Sequence, residues 1–291
     1  MLDLTDMQTI RALAKRHAFS FSKGLGQNFL IDPEVCPAIA EYGIPAPECG
    51  VLEIGTGFGV LTQQLALKSE QVAAVELDRS LEPVLAETLR GFENITVIWQ
   101  DIMKVDPAAF LKEQFGEREV CVCANLPYYI TSPILMHLLE SDAKFRSITV
   151  MVQKEAAERL CAKIGSRAAG AVTAAVQLRG TAELLFHVPR KSFYPAPKVD
   201  SAVIRITPYA MPLCTPEQLK RVLAVVKAGF AQRRKTAVNA LAGGLSLEKA
   251  QVTEALAACG QSETVRFEQL DLETLLRLES ILMNGSTPAA S

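Results

Sequence analysis

The sequence predicts an α/β fold, a mostly parallel, Rossmann-like sheet of seven strands followed by a small C-terminal domain built only of helices. Three observations predict it. Apolar, β-rich segments alternate with turn residues and helical patterns from residue 50 to residue 155, as βα units around a parallel sheet require. The glycine-rich turn Gly55-Thr56-Gly57-Phe58-Gly59 follows the first of these segments directly. Beyond residue 210 the pattern changes to helices alone.

In chain order, residues 1–30 read as a helix from Thr5 to His17 and a loop from Phe21 to Leu30. The α/β domain follows over residues 31–209, with strands at Val51–Gly55, Val72–Asp78, Ile95–Asp101, Cys121–Leu126 and Ser147–Gln153. Two more strands, Ala182–Val188 and Ser201–Pro208, are joined by a loop too short for a helical crossover, so they should form an antiparallel hairpin at a sheet edge. The helical domain covers residues 210–283. It opens at Thr215-Pro216-Glu217-Gln218, where Thr can cap, Pro suits the first turn and Gln sits at the capping-box position. Residues 284–291 are small and polar and read as a disordered tail.

Composition narrows the function. The chain has 291 residues, 49% of them apolar, enough for one full domain and a smaller one. No run approaches the ~20 apolar residues that cross a bilayer, and the N-terminus lacks a signal-type stretch. A cytoplasmic, membrane-free, monomeric protein is expected. The seven cysteines are scattered without a C-x-x-C pair, which indicates neither a disulfide framework nor a metal site. Cys121 and Cys123 have strand spacing and read as small buried hydrophobes. The net charge of −2 exerts no global pull toward nucleic acid.

The glycine turn lies where the carboxyl ends of parallel strands form a ligand crevice. It could be a tight turn and nothing more. It lacks the Gly-Lys-Ser/Thr ending of a Walker loop, and Val60 replaces the third glycine of a dinucleotide fingerprint, so a pyrophosphate is disfavoured. Glu76 ends the second strand, where a carboxylate can accept both ribose hydroxyl protons; Asp101 ends the third, within reach of an adenine amino group. Gly, Glu and Asp at three successive strand ends suit S-adenosylmethionine better than a nicotinamide dinucleotide.

Asn125-Leu126-Pro127-Tyr128-Tyr129 closes the fourth strand and is the most specific signal in the chain. An adenine amino nitrogen is a poor nucleophile because its lone pair is delocalised into the ring, so an enzyme must orient it toward the methyl donor. The Asn125 amide oxygen and a backbone carbonyl, at Leu126 or Pro127, can accept its two N–H bonds and stabilise the charge that develops on nitrogen. No general base is needed, and His17, His137 and His187 read as structural. Tyr128 can stack on the base, with Phe193 as the second aromatic wall on a proline-stiffened loop. On that reading Phe193→Ala costs more turnover than cofactor affinity.

Four segments, Gly26-Gln27-Asn28-Phe29-Leu30, Glu53 to Gly59, Asn125 to Tyr128 and Phe193-Tyr194-Pro195-Ala196-Pro197-Lys198-Val199-Asp200, resemble the bacterial small-subunit (16S) ribosomal RNA adenine N6,N6-dimethyltransferases. The similarity runs in order from about residue 20 to 240. It implies a class I S-adenosylmethionine-dependent methyltransferase fold with a helical RNA-binding domain, and makes the Phe21 to Leu30 loop a cover for the cofactor. By the same resemblance Asn28, Leu30, Gly55, Gly57, Glu76, Leu77, Asp101, Ile102 and Asn125 hold S-adenosylmethionine, and Asn125, Leu126, Pro127, Tyr128 and Phe193 serve the reaction. The implied substrate is a pair of adjacent adenosines in a hairpin near the 3′ end of 16S ribosomal RNA, methylated in the immature small subunit.

Charge distribution supports RNA as the substrate. From Gln218 to Leu247 there is no acidic residue, while Lys220, Arg221, Lys227, Arg233, Arg234 and Lys235 provide six cations. Arg190, Lys191, Lys198 and Arg205 extend the basic surface toward Phe193. A solvated helix face is the plainer account of the cluster. Two rivals remain: a large-subunit RNA adenine methyltransferase of the macrolide-resistance type, and a ribosome assembly factor that keeps the fold without catalysis.

Overall fold

The computed structural model describes residues 2–20 and 28–284. The chain forms two compact units, Met1–Ala157 with Ala182–Pro208, and Glu158–Thr181 with Tyr209–Ser291. Residues 158–181, which the sequence reading placed inside the α/β domain, therefore belong with the C-terminal helices. The residues of the proposed tail from 285 onward, and Gly26 and Gln27, lie outside the described residues.

The first unit is a seven-stranded sheet. Its strands are β2 (Gly50–Ile54), β3 (Gln71–Glu76), β4 (Ile95–Trp99), β5 (Val120–Asn125), β6 (Ser147–Gln153), β7 (Gly180–Val188) and β9 (Ser201–Pro208), in the order β4-β3-β2-β5-β6-β9-β7. The pairings among β4, β3, β2, β5 and β6 are parallel, and β9 runs antiparallel to β6. This is the mostly parallel Rossmann-like sheet expected. Strands β2 and β5 are buried nearly throughout, which is why both read as unbroken apolar runs. The chain winds outward from β2 to β4 and then returns to place β5 on the other side of β2, so the carboxyl ends of β2 and β5 flank a topological switch point.

A second, two-stranded sheet has no counterpart in the sequence reading. Strand β1 (Phe29–Leu30) pairs antiparallel with β8 (Phe193–Tyr194), Phe29 opposite Tyr194 and Leu30 opposite Phe193. Ser192 Oγ donates to Asp32 at 2.7 Å, and the Ile31 N–H donates to the Ser192 carbonyl at 2.9 Å, securing the junction.

Helices cover the sheet. On one face α2 (Val35–Gly43) and α3 (Val60–Lys68) pack over Val51, Cys123, Met151 and Val203. A second core joins α1 (Met7–Arg16) to α4 (Glu82–Thr88) through Phe19, Phe29 and Phe58, whose ring centroids lie 4.7 to 6.2 Å apart. Asp6 caps α1 by accepting from the Thr9 N–H. The remaining helices of this unit are α5 (Pro107–Phe115) and α6 (Thr131–Glu140), and α7 (Lys154–Leu160) leads from it into the second.

The second unit comprises α8 (Ala171–Arg179), α9 (Pro216–Ala231), α10 (Ala237–Leu245), α11 (Lys249–Ala258) and α12 (Leu272–Asn284). Thr215 caps α9 as read, accepting from the Gln218 N–H at 3.2 Å. The Gln218 side chain does not complete a capping box, because it donates to the buried Glu279 carboxylate instead.

Candidate active site

The carboxyl ends of β2, β3, β4 and β5 open on one cavity that holds about 1110 Å³ of space including its mouth. Asn28, Leu30, Gly55, Gly57, Glu76, Leu77, Asp101, Ile102 and Asn125 all line it, as do Leu126, Pro127 and Tyr128. One wall is supplied by β1, so the strand missed from sequence carries Leu30, one of the cavity residues read from it, and Asn28 directly precedes it.

The floor is the glycine turn. Gly55, Gly57 and Gly59 have φ of +80°, +53° and +88°, a region that side-chain-bearing residues rarely adopt. At Gly55 an added Cβ would meet nothing within 4 Å, so the backbone there stands bare toward open space. Glu76 ties this turn to β3. One of its carboxylate oxygens accepts from Thr56 N–H and Oγ1 and from Gly57 N–H at 2.8, 2.9 and 3.3 Å, and the other from the N–H groups of Leu77 and Asp78 at 2.8 Å each. Asp101 is half-buried and spends one oxygen on the Met103 N–H at 3.0 Å. Leu77, 53% exposed, offers an apolar surface beside these acids.

At the opposite wall, the Leu126 N–H donates to the Met151 carbonyl at 3.1 Å, which holds the end of β5 against β6. The Pro127 carbonyl accepts from the Ile130 N–H and from Thr131 Oγ1, both at 3.1 Å. Both its lone pairs are engaged, whereas the Leu126 carbonyl has no protein donor among the described residues. Of the two carbonyls the sequence left open, Leu126 is the one free to accept. The Tyr128 hydroxyl lies 2.5 Å from Ser201 Oγ, and burial pushes its pKa up, so it stays a neutral phenol.

Phe193 is the clear departure. It is 3% exposed, packs into the core with Leu30, Val35 and Ile39, and is not among the residues that line the cavity. Pairing with Leu30 in the β1–β8 ladder turns it inward. Residues that sequence reasoning missed are Thr56, which holds Glu76, the exposed Tyr129, which lines the cavity, and Ser201. The Tyr128-Tyr129 doublet was a signal for the second of these; nothing in the sequence marked the pairing of Ser201 with Tyr128.

Of the residues assigned to RNA, Arg190, Lys191 and Lys198 are exposed on the first unit. In the second unit Lys220, Lys227, Arg234 and Lys235 are exposed, and Arg221 and Arg233 are held by carboxylates. Arg221 pairs with Glu279 at 2.5 Å, and Arg233 pairs with Glu268 at 2.8 Å while also donating to the Arg167 carbonyl. Both acids lie outside the acid-free stretch and are returned to it by folding. On the first unit, Arg205 is likewise held by Glu183.

A family model described as ribosomal RNA adenine dimethylase matches residues 18–282. The ribosomal RNA small subunit methyltransferase A of Geobacillus thermodenitrificans is 42% identical over 285 residues, 97% of this chain and 97% of that protein. Its counterpart in Streptococcus gordonii is 43% identical over 283 residues, 96% of this chain and 98% of that one. Among solved structures, a dimethyladenosine transferase from Plasmodium falciparum gives a TM-score of 0.68 at 26% identity, covering 86% of this chain and 95% of that one. The 23S rRNA methyltransferase ErmE gives 0.64 at 29% identity, covering 88% of this chain and all of its own. A cavity with these strand-end acids and an Asn-Leu-Pro-Tyr wall, in a chain matched over most of its length, places the protein in the ribosomal RNA adenine dimethylase family.

Proposed function

We propose that this chain transfers methyl groups from S-adenosylmethionine to N6 of two adjacent adenosines in a hairpin near the 3′ end of 16S ribosomal RNA. The product is N6,N6-dimethyladenosine, made by a cytoplasmic monomer acting on the immature small subunit. The observation that carries the proposal is that Asn125 to Tyr128 share one cavity with the glycine turn, Glu76 and Asp101.

The residues present fit the cofactor. The bare backbone at Gly55 would admit the methionine end, Glu76 would accept from the ribose, and Leu77, Ile102 and the second oxygen of Asp101 would frame the adenine. When bound, S-adenosylmethionine supplies an electrophilic methyl group on a sulfonium. The chain's own work is orientation. Asn125 Oδ1 and the Leu126 carbonyl accept the two N6 protons, which leaves the nitrogen lone pair directed away from them and into the cavity. As positive charge grows on N6, both acceptors bind more strongly, so the gain falls on the transition state. The proton of the methylated nitrogen is acidic enough to leave to water. Tyr128 supplies an aromatic face for the base. Exposed Arg190, Lys191, Lys198, Lys220, Lys227, Arg234 and Lys235 are assigned to phosphates, whereas Arg221 and Arg233 chiefly brace the helical unit.

Nucleoside mass spectrometry tests this after incubation with S-adenosylmethionine and unmethylated small subunits, large subunits or naked RNA. Dimethyladenosine with small subunits alone is expected. Product on large subunits alone moves the chain to the large-subunit branch, and no product overturns the enzymatic reading.

A further inference from the structure

We propose that Ser201 is a positioning residue for the reaction, locking the Tyr128 ring in the orientation in which it receives the base through the hydrogen bond between the two hydroxyls. This rests on the proposed role of Tyr128 as the aromatic wall. Ser201 opens β9 opposite Gln153 in the β6–β9 register and is 0% exposed. It does not line the cavity, so it touches neither base nor cofactor and acts only through Tyr128. Its Oγ stands 2.5 Å from the phenolic oxygen.

The bond completes a three-point restraint. The backbone before Tyr128 is held by Leu126 N–H on Met151, and the backbone after it by Ile130 and Thr131 on the Pro127 carbonyl. A ring fixed only at its Cα could still swing about χ1 and χ2, and Ser201 fixes the far end. A phenol hydroxyl bonds best in the plane of its ring, so the contact restrains ring rotation as well as swing. This matters for a double methylation. The base must present N6 along the same line after it has gained one methyl group, and a ring free to tilt would let the bulkier intermediate settle out of line.

The test compares Ser201→Ala, Tyr128→Phe, the double variant and Tyr128→Ala with the wild type, measuring kcat, KM for RNA, cofactor Kd, Tm and the ratio of mono- to dimethyladenosine. Ser201→Ala and Tyr128→Phe should each lower kcat by about tenfold and raise the monomethyl fraction, with RNA KM and cofactor Kd unchanged, because phosphate contacts elsewhere dominate RNA affinity. The double variant should lose no more than either single one. Additive losses, a wild-type product ratio, or losses that track Tm or cofactor Kd overturn the proposal. If Tyr128→Ala turns over like the wild type, the base-wall reading itself fails. If Tyr128→Ala is impaired while Ser201→Ala and Tyr128→Phe are not, only the role of Ser201 fails.

Discussion

Glu53 lies on β2 two residues before the glycine turn and does not line the cavity. It is 0% exposed on β2, and among the described residues neither carboxylate oxygen meets a donor in full hydrogen-bonding geometry. Burial pushes its pKa from 4.5 up to about 8, the Thr62 hydroxyl opposing the shift and the Glu76 charge adding to it. Between those values the folded chain keeps a proton that the unfolded chain has released, so stability falls as pH rises through the window and the full penalty is in place above it. Each pH unit inside the window is worth about 1.4 kcal/mol, which gives about 3 kcal/mol between pH 5.5 and 7.5. Other groups do not mimic this. The lowered pKa of Glu87, caused mainly by its bonds to His17 and Arg16, acts below the window, and the raised thiols of Cys36 and Cys123 act above it. Glu53→Gln is near-isosteric and neutral at every pH. Urea unfolding at pH 5.5, 6.5 and 7.5 should show the wild type losing stability relative to this variant as pH rises, with the two closest at pH 5.5. Parallel pH profiles, or a variant less stable than the wild type at pH 7.5, would refute a protonated Glu53.

Three further outcomes are expected. Asn125→Ala should lower kcat by about 10²–10³, as loss of one acceptor from a developing charge does, while equilibrium dialysis finds cofactor binding within a few fold. Phe193→Ala should cost about 3–5 kcal/mol of unfolding free energy by opening a core void, and should weaken cofactor binding through Leu30, the reverse of what a base wall predicts. Calorimetry and cofactor titration decide between the two. Arg234→Ala with Lys235→Ala should weaken RNA binding at low salt and reduce the slope of log K against log salt by about one per lost phosphate contact; an unchanged slope removes these residues from the interface.

The parts of this fold that sequence exposes are those governed by local periodicity. Five parallel strands were readable within a residue or two at each end, β2, β3, β5 and β6 because they are buried, largely apolar runs and the less buried β4 because it is rich in β-branched residues, and their carboxyl ends positioned Gly55, Glu76, Asp101 and Asn125 without further information. What stayed hidden depends on partners far along the chain. A ladder of two residues per strand has no period to detect, so the pairing that draws Phe193 into the core was invisible. Helix α8 reads as apolar and weakly patterned because Val172, Ala174, Ala175, Val176 and Leu178 are all buried, which conceals its membership of the helical unit. Arg221 and Arg233 looked like free cations because their carboxylates lie 58 and 35 residues away.

Glu76 meets its ligand with its hands already full. Five donors from the glycine turn and the start of the following loop surround its carboxylate, so on the proposed function ribose hydroxyls would gain a place there by trading partners rather than by filling a vacancy. Such a trade would make the sugar a modest contributor to affinity, since bonds surrendered offset bonds formed. It also keeps the cradle assembled with no nucleoside in it. A catalyst that must discard a spent donor and admit a fresh one several times on the same RNA thereby avoids rebuilding its floor at every round.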